Sequence, residues 1–150
     1  MAERSVLIVS NNSGLVPPLR VACMKAGFGV MVSPDGLHAV MQALQKRPDV
    51  LVMDGANGTI EPCYVSELLR GDGRTATILT ILLVDGVDRN IVQLCRAAHV
   101  RMLLKQADYS HAVARIRSLL ARRRHDPVLG ANALWPNGST PPPKNARPAA

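Results

Sequence analysis

The chain has 150 residues, of which 47% are hydrophobic and only 3% aromatic, so it has enough for one domain with an aliphatic core and too little for two. The net charge of +7 is unevenly placed: residues 1–110 hold eleven basic and ten acidic side chains, residues 111–150 seven and one. The basic excess therefore belongs to the C-terminal segment, and it is not evidence that the globular body binds nucleic acid.

Cys23, Cys63 and Cys95 are scattered, in neither CxxC nor Cys/His metal spacing. They read as structural or buried thiols and suit a reducing cytosol better than a disulfide framework. The apolar stretch in "MAERSVLIVS" is too short for a secretory signal, and "ILTILLV" (78–84) is too short to span a bilayer. A soluble, cytoplasmic protein with no membrane partner is the expectation.

The first strand is "SVLIVS" (5–10), an apolar run that stops abruptly at Ser10-Asn11-Asn12-Ser13-Gly14. A helix follows in "LVPPLRVACMKAG" (15–27), with Leu19, Ala22, Cys23 and Ala26 at helical spacing and Gly27 as a natural stop. Pro17 and Pro18 are tolerated only in its first turn, where their missing N–H groups are not needed. "FGVMVS" (28–33) reads as the second strand. Ser33-Pro34-Asp35 signals a helix start, after which Leu37, Val40, Met41 and Leu44 fall on one face.

"PDVLVMD" (48–54) is the third strand, apolar almost throughout, as burial on both faces requires. "GANGT" (55–59) reads as a loop and "EPCYVSELLRG" (61–71) as a short helix. "TILTILLV" (77–84) is the fourth strand. "DGVDRNIVQLCRAAH" (85–99) contains a helix with Ile91, Val92, Leu94 and Cys95 inward. "VRMLLK" (100–105) is the fifth strand. The last helix, in "ADYSHAVARIRSLLARRR" (107–124), buries Ala112, Val113, Ile116, Leu119 and Leu120.

Five βα units in one short chain predict a doubly wound, three-layer α/β/α fold with a five-stranded parallel sheet in the order 2-1-3-4-5. Its crevice lies beyond the carboxyl ends of the first and third strands, where "SNN" and Asp54 would meet. Residues 1–124 form this domain. Residues 125–150, rich in Pro, Gly, Asn and Ala, read as a mostly disordered basic tail in which only "VLGANALW" has the apolar content to dock on the body.

The run "VLIV" followed by polar residues, the stretch "KAGFGVMVSPDGLHAVMQAL", the strand "RPDVLVMD" and the strand "AHVRMLLK" resemble the receiver domain of bacterial response regulators, the flavodoxin-like fold shared with CheY. The resemblance covers residues 5 to about 122. It implies a site in which two adjacent acids hold Mg²⁺, an Asp accepts a phosphoryl group, a Ser or Thr and an aromatic residue sense it, and a Lys contacts it. The cation is needed because a carboxylate is a poor nucleophile toward a phosphoryl dianion unless their repulsion is screened.

Carried over by position, Asp54 matches the phosphoacceptor, Lys105 the lysine and Ala56 the carbonyl offered to the metal. The acidic pair falls on Ser10 and Asn11, both neutral. The hydroxyl position falls on Leu83 and the switch aromatic on Met102, while Gly58 and Gln106 stand where prolines are usual. One carboxylate with neutral oxygens from Ser10 or Asn11 holds Mg²⁺ weakly or not at all, so no cofactor is expected, and Asp54 and Lys105 pair with each other. The Ser10 hydroxyl reads as a cap or turn group, since no histidine stands ready to activate it. Leu83 and Met102 fill the pocket where Thr and an aromatic would toggle, which points to a locked switch.

These residues predict an atypical, stand-alone response regulator, not an enzyme, that signals through protein contacts with a histidine kinase or downstream regulator. The resemblance implies that residues 88–122 form the face the family uses for dimers and targets, which makes a homodimer through them one candidate arrangement. Arg115, Arg117 and Arg122 on the last helix are placed to set electrostatic partner choice. The alternatives are a working phosphoacceptor at Asp54, and a nucleic-acid-binding regulator that uses the basic C-terminal segment. "ARRRH" (121–125) has a simpler role as cations at a helix C-terminus.

Overall fold

The computed structural model describes residues 4–56, 61–105 and 109–125, the last three by backbone alone. The element order is β1 (Ser5–Val9), α1 (Val16–Lys25), β2 (Gly29–Ser33), α2 (Gly36–Lys46), β3 (Val50–Asp54), α3 (Pro62–Arg70), β4 (Leu79–Val84), α4 (Arg89–Ala98), β5 (Arg101–Leu104) and α5 (Ser110–His125). The strands form one parallel sheet in the order β2-β1-β3-β4-β5, as the alternation of apolar runs and helical patterns predicts.

The three central strands are apolar on both faces because both faces are covered. Val6, Ile8, Val50, Val52, Ile81 and Leu83 point to the layer of α1 and α5. Leu7, Val9, Leu51, Met53, Leu82 and Val84 point to the layer of α2, α3 and α4. Each such side chain, fully buried, contributes about 1.5–3 kcal/mol of transfer free energy. The aliphatic composition thus becomes two cores separated by one sheet.

Local signals set the helix boundaries. Asp35 caps α2 by accepting the His38 N–H (2.8 Å), and Asp88 caps α4 by accepting the Ile91 N–H (2.8 Å). After α1 the chain turns at Gly27 with φ of +90°, a conformation that L side chains rarely adopt. β4 starts at Leu79, two residues later than its apolar run. Residues 71–77 form turns instead, closed by the buried Thr75 hydroxyl donating to the Leu69 carbonyl (2.7 Å).

Two helix faces differ from the sequence pattern. On α2 the buried stripe is Gly36, Ala39, Val40 and Ala43, while Leu37 and Met41 are exposed and Leu44 is half-buried. The reason is close approach: a Cβ at Gly36 would lie 2.9 Å from the Val65 methyl of α3, so small residues face inward and the larger ones are turned outward. On α4 only Cys95 is buried. Ile91 and Val92 are half-buried, and Leu94 is exposed beside the α3–α4 cleft. Cys23 and Cys95 are buried thiols, and burial raises the Cys23 pKa to about 11. Cys63 differs, standing exposed in the first turn of α3. α5 buries the five residues its periodicity predicts.

Gly58, Gln106, the "VLGANALW" stretch and the rest of the tail from residue 126 lie outside the described residues, as do the side chains of Arg123, Arg124 and His125. Among the described residues, no helix is long and apolar enough to cross a membrane.

One glycine governs how the β3 loop reaches the site. The Gly55 N–H donates to the Leu83 carbonyl at 2.8 Å, and a Cβ there would stand 2.6 Å from that same oxygen. Both groups are held by the hydrogen bond, so neither yields. Gly55→Ala is expected to cost about 1–3 kcal/mol of stability, read as a lower urea midpoint with unchanged slope.

Candidate functional site

The carboxyl ends of β1, β3 and β5 bring Ser10, Asp54 and Lys105 together. β1 and β3 are neighbours in register, with Val9 opposite Met53, so the residues that follow each strand converge. β4 separates β3 from β5, and the Lys105 N–H bonds the Val84 carbonyl (2.8 Å), which fixes the base of the lysine side chain.

Asp54 is 2% exposed, and both carboxylate oxygens are occupied. Oδ1 accepts from Lys105 Nζ at 2.7 Å and from the Ala56 N–H at 3.0 Å. Oδ2 accepts from Ser10 Oγ at 2.9 Å. Ser10 is itself 2% exposed, and its Oγ also accepts the Asn12 N–H at 3.0 Å, which closes the turn after β1. The hydroxyl is therefore a turn group, as its sequence context predicts, and also a donor to Asp54.

Burial by itself would raise the Asp54 pKa. Hydrogen bonds from Lys105, the Ala56 amide and Ser10, together with the Lys105 charge, outweigh it and hold the carboxyl below the usual carboxylate range. For Lys105, burial pulls the pKa down, but the bond to Asp54 and the charges of Asp54 and Asp85 push it above its ordinary value. Asp54 and Lys105 thus form a charged, nearly buried ion pair.

The remaining positions sort differently. Asn11 is exposed at the end of β1, and Ala56 is exposed with its amide turned to Asp54. Leu83 is fully buried among the α1–α5 residues, whereas Met102 packs, half-buried, on the α2–α4 side. They do not share one pocket, because strand alternation sends them to opposite faces of the sheet.

Two neighbours are not evident in the sequence. Asp85, just after β4, stands 3.7 Å from Lys105 Nζ and is exposed. Tyr109 is buried close enough to the cluster for its pKa to respond: burial raises it, the Lys105 charge lowers it, and Asp54 and Asp85 raise it. A cavity of about 370 Å³ opens between the β3 and β4 loops, lined by Gly55, Ala56, Asp85, Val87, Asp88 and Ile91.

A divalent magnesium ion takes hard oxygen ligands, usually one or two carboxylates together with waters and phosphate oxygens. Here Ser10 and Asn11 are neutral, and both Asp54 oxygens already accept hydrogen bonds. Among the described residues no group of three or more His, Cys, Asp or Glu converges to hold a metal. Of the positions that the resemblance assigns to the metal, Asp54 alone supplies a carboxylate.

No protein-family model matches the chain. It is similar to the response regulator MprA of Mycobacterium tuberculosis, 27% identical over 129 residues that cover 86% of this chain and 56% of that protein. It is also similar to the DNA-binding dual master transcriptional regulator RpaA of Synechocystis sp., 27% identical over 137 residues that cover 86% of this chain and 57% of that protein. The chain thus spans little more than half the length of these two relatives. Among solved structures, the chemotaxis response regulator CheY4 of Vibrio cholerae superposes with a TM-score of 0.70 over 79% of this chain and 99% of that one, at 17% identity, a likeness of fold. With the sheet in CheY-like order and response regulators matching it in sequence along most of its length, this chain has the receiver-domain fold and is similar to response regulators.

Proposed function

We propose that this receiver works by shape, as a protein-interaction module whose output does not depend on phosphorylation of Asp54. The observation that carries the reading is the Ser10–Asp54 hydrogen bond of 2.9 Å. It places a neutral donor where a metal-binding carboxylate would be needed, and it occupies the Asp54 oxygen that Lys105 and Ala56 leave open. Transfer to Asp54 would require that oxygen to attack a phosphoryl dianion beside Lys105 alone, with no carboxylate at position 10 or 11 to recruit the divalent ion that screens the repulsion. Leu83 supports the same reading, because it has no hydroxyl with which to report a phosphoryl group.

The contact surface in this reading is the face of α4, β5 and α5, residues 88–122, and the partner is a histidine kinase or a downstream regulator. Leu94 and Leu104 are about half exposed there, and Arg101 on the same strand as Leu104 is exposed. Exposed apolar side chains and arginine are residue types that suit protein recognition.

Incubating the chain with acetyl phosphate and Mg²⁺, then weighing it intact, tests the reading. No phosphoryl adduct is expected. A substantial adduct that disappears in Asp54→Ala would overturn it and establish a working phosphoacceptor.

A further inference from the structure

We propose that the outer surface of α1 and α5 is a binding face for the sugar–phosphate backbone of double-stranded DNA. The 10-residue α1 and the 16-residue α5 contain no Asp or Glu. Their described cations are Arg20, Lys25, Arg115, Arg117 and Arg122, all exposed and none engaged in any ion pair among the described residues. Every described carboxylate lies in the α2–α4 layer or in the loops at the strand ends. Among the described residues, the sheet therefore divides the charges: one helical layer mixes both signs, and the helices of the other carry only positive side chains.

The charge pattern read along the sequence assigns the basic excess to the segment after residue 110. In the fold, three of those cations stand on a helix packed against the body, and α1, some 90 residues earlier in the chain, adds two more. Both helices run antiparallel to the strands and lie side by side over the same core. Arg115 and Arg122 are two turns apart on one flank of α5, about 10 Å along its axis, and Arg117 lies on the other flank of the buried stripe.

The identity of the polyanion follows from what is missing. A protein surface mixes signs, so its complement retains some carboxylates. Two helices from which carboxylates are wholly excluded suit a ligand that is negative everywhere, and four of the five cations are arginines, whose guanidinium fork matches phosphate oxygens. No exposed aromatic side chain stands on either helix, which leaves no platform for stacking unpaired bases. The face thus reads backbone and not sequence.

Fluorescence anisotropy of the full chain with a labelled, mixed-sequence duplex of about 20 base pairs tests this. If all five cations contact phosphates, affinity falls roughly 500-fold between about 50 and 200 mM salt. The exposed-site variants R115E/R117E/R122E and, separately, R20E/K25E should each weaken binding at least about tenfold at the lower salt, with unchanged melting temperature. R20E/K25E is decisive, because it leaves the basic C-terminal segment intact. Absence of binding at low salt, or binding that both variants leave undiminished, overturns the proposal. So does competition by poly-glutamate as effective as competition by unlabelled duplex, which would point to an acidic protein instead.

Discussion

Replacing Ser10 and Asn11 together by aspartate is expected to make the stability of this domain depend on a divalent cation. Ser10 is 2% exposed with its Oγ 2.9 Å from Asp54 Oδ2, so the new carboxylate at position 10 would stand against an existing one with little water between them. Two like charges in one buried site cannot both ionise cheaply, and one pKa is driven up. The substitution also removes the donor to Asp54 and changes the group that accepts the Asn12 N–H. A loss of roughly 2–4 kcal/mol at neutral pH without metal follows from the unpaired, desolvated charge. Mg²⁺ should reverse most of it, since a ligand at a hundred times its Kd returns about 2.7 kcal/mol. Thermal melts with and without Mg²⁺ measure this: the S10D/N11D variant should shift upward with the ion and the wild-type chain should not move. The variant should also gain a phosphoryl adduct from acetyl phosphate. A wild-type melt that rises with Mg²⁺ as steeply as the variant's would show that the native donor set already holds the ion.

How much of this was legible from residues alone depends on which physical signal each feature uses. The strands were legible because burial on both faces leaves continuous apolar runs, and β3 and β4 are buried at every position. The start of α2 was legible because Asp35 has the short acceptor side chain that a helix N-terminus requires. The inner face of α2 was misread because hydropathy weights Leu37 and Met41 above Gly36, Ala39 and Ala43, whereas close packing against α3 selects for size. Leu94 went astray for a related reason. α4 turns only Cys95 fully inward, and its other apolar residues grade outward. At the site, Asp54 and Lys105 were placed by the ends of their strands, and the pair forms at 2.7 Å. The direction of the Ser10 hydroxyl was not legible, since a serine donates or accepts according to neighbours that only the fold supplies. Asp85 and Tyr109 were missed because they reach the cluster from loop and helix-start positions that carry no periodicity.

Lys105→Met should be the most destabilising single change at the site, and clearly more costly than Asp54→Asn, although each breaks the same ion pair. The asymmetry is one of solvent access. The Asp54 side chain is 1% exposed and the Lys105 side chain 13%. Without its partner the lysine can turn toward water or toward Asp85, already 3.7 Å away. Without Lys105 the aspartate keeps only Ser10 and the Ala56 amide, two neutral donors, to support a buried charge. Removing one partner of a buried pair typically costs about 3–5 kcal/mol. Lys105→Met is expected near the lower end of that range, since two donors remain, and Asp54→Asn well below it. The double variant should recover part of the loss, because it removes both charges. The pH dependence follows from the two shifts. Asp54 titrates below its ordinary value, so its contribution is present above the unfolded pKa of about 3.9 and is lost as pH falls through the lowered one. Lys105 titrates above its ordinary value, so its contribution holds below the unfolded pKa of about 10.4 and is lost as pH rises through the raised one. Urea unfolding of the wild type and both single variants, at neutral pH and again near pH 3, checks both points. The extra cost of Lys105→Met should shrink in acid, where Asp54 is neutralised in the variant. A cost that stays constant with pH, or that is larger for Asp54→Asn, would mean that the lysine acts through packing and not through the carboxylate.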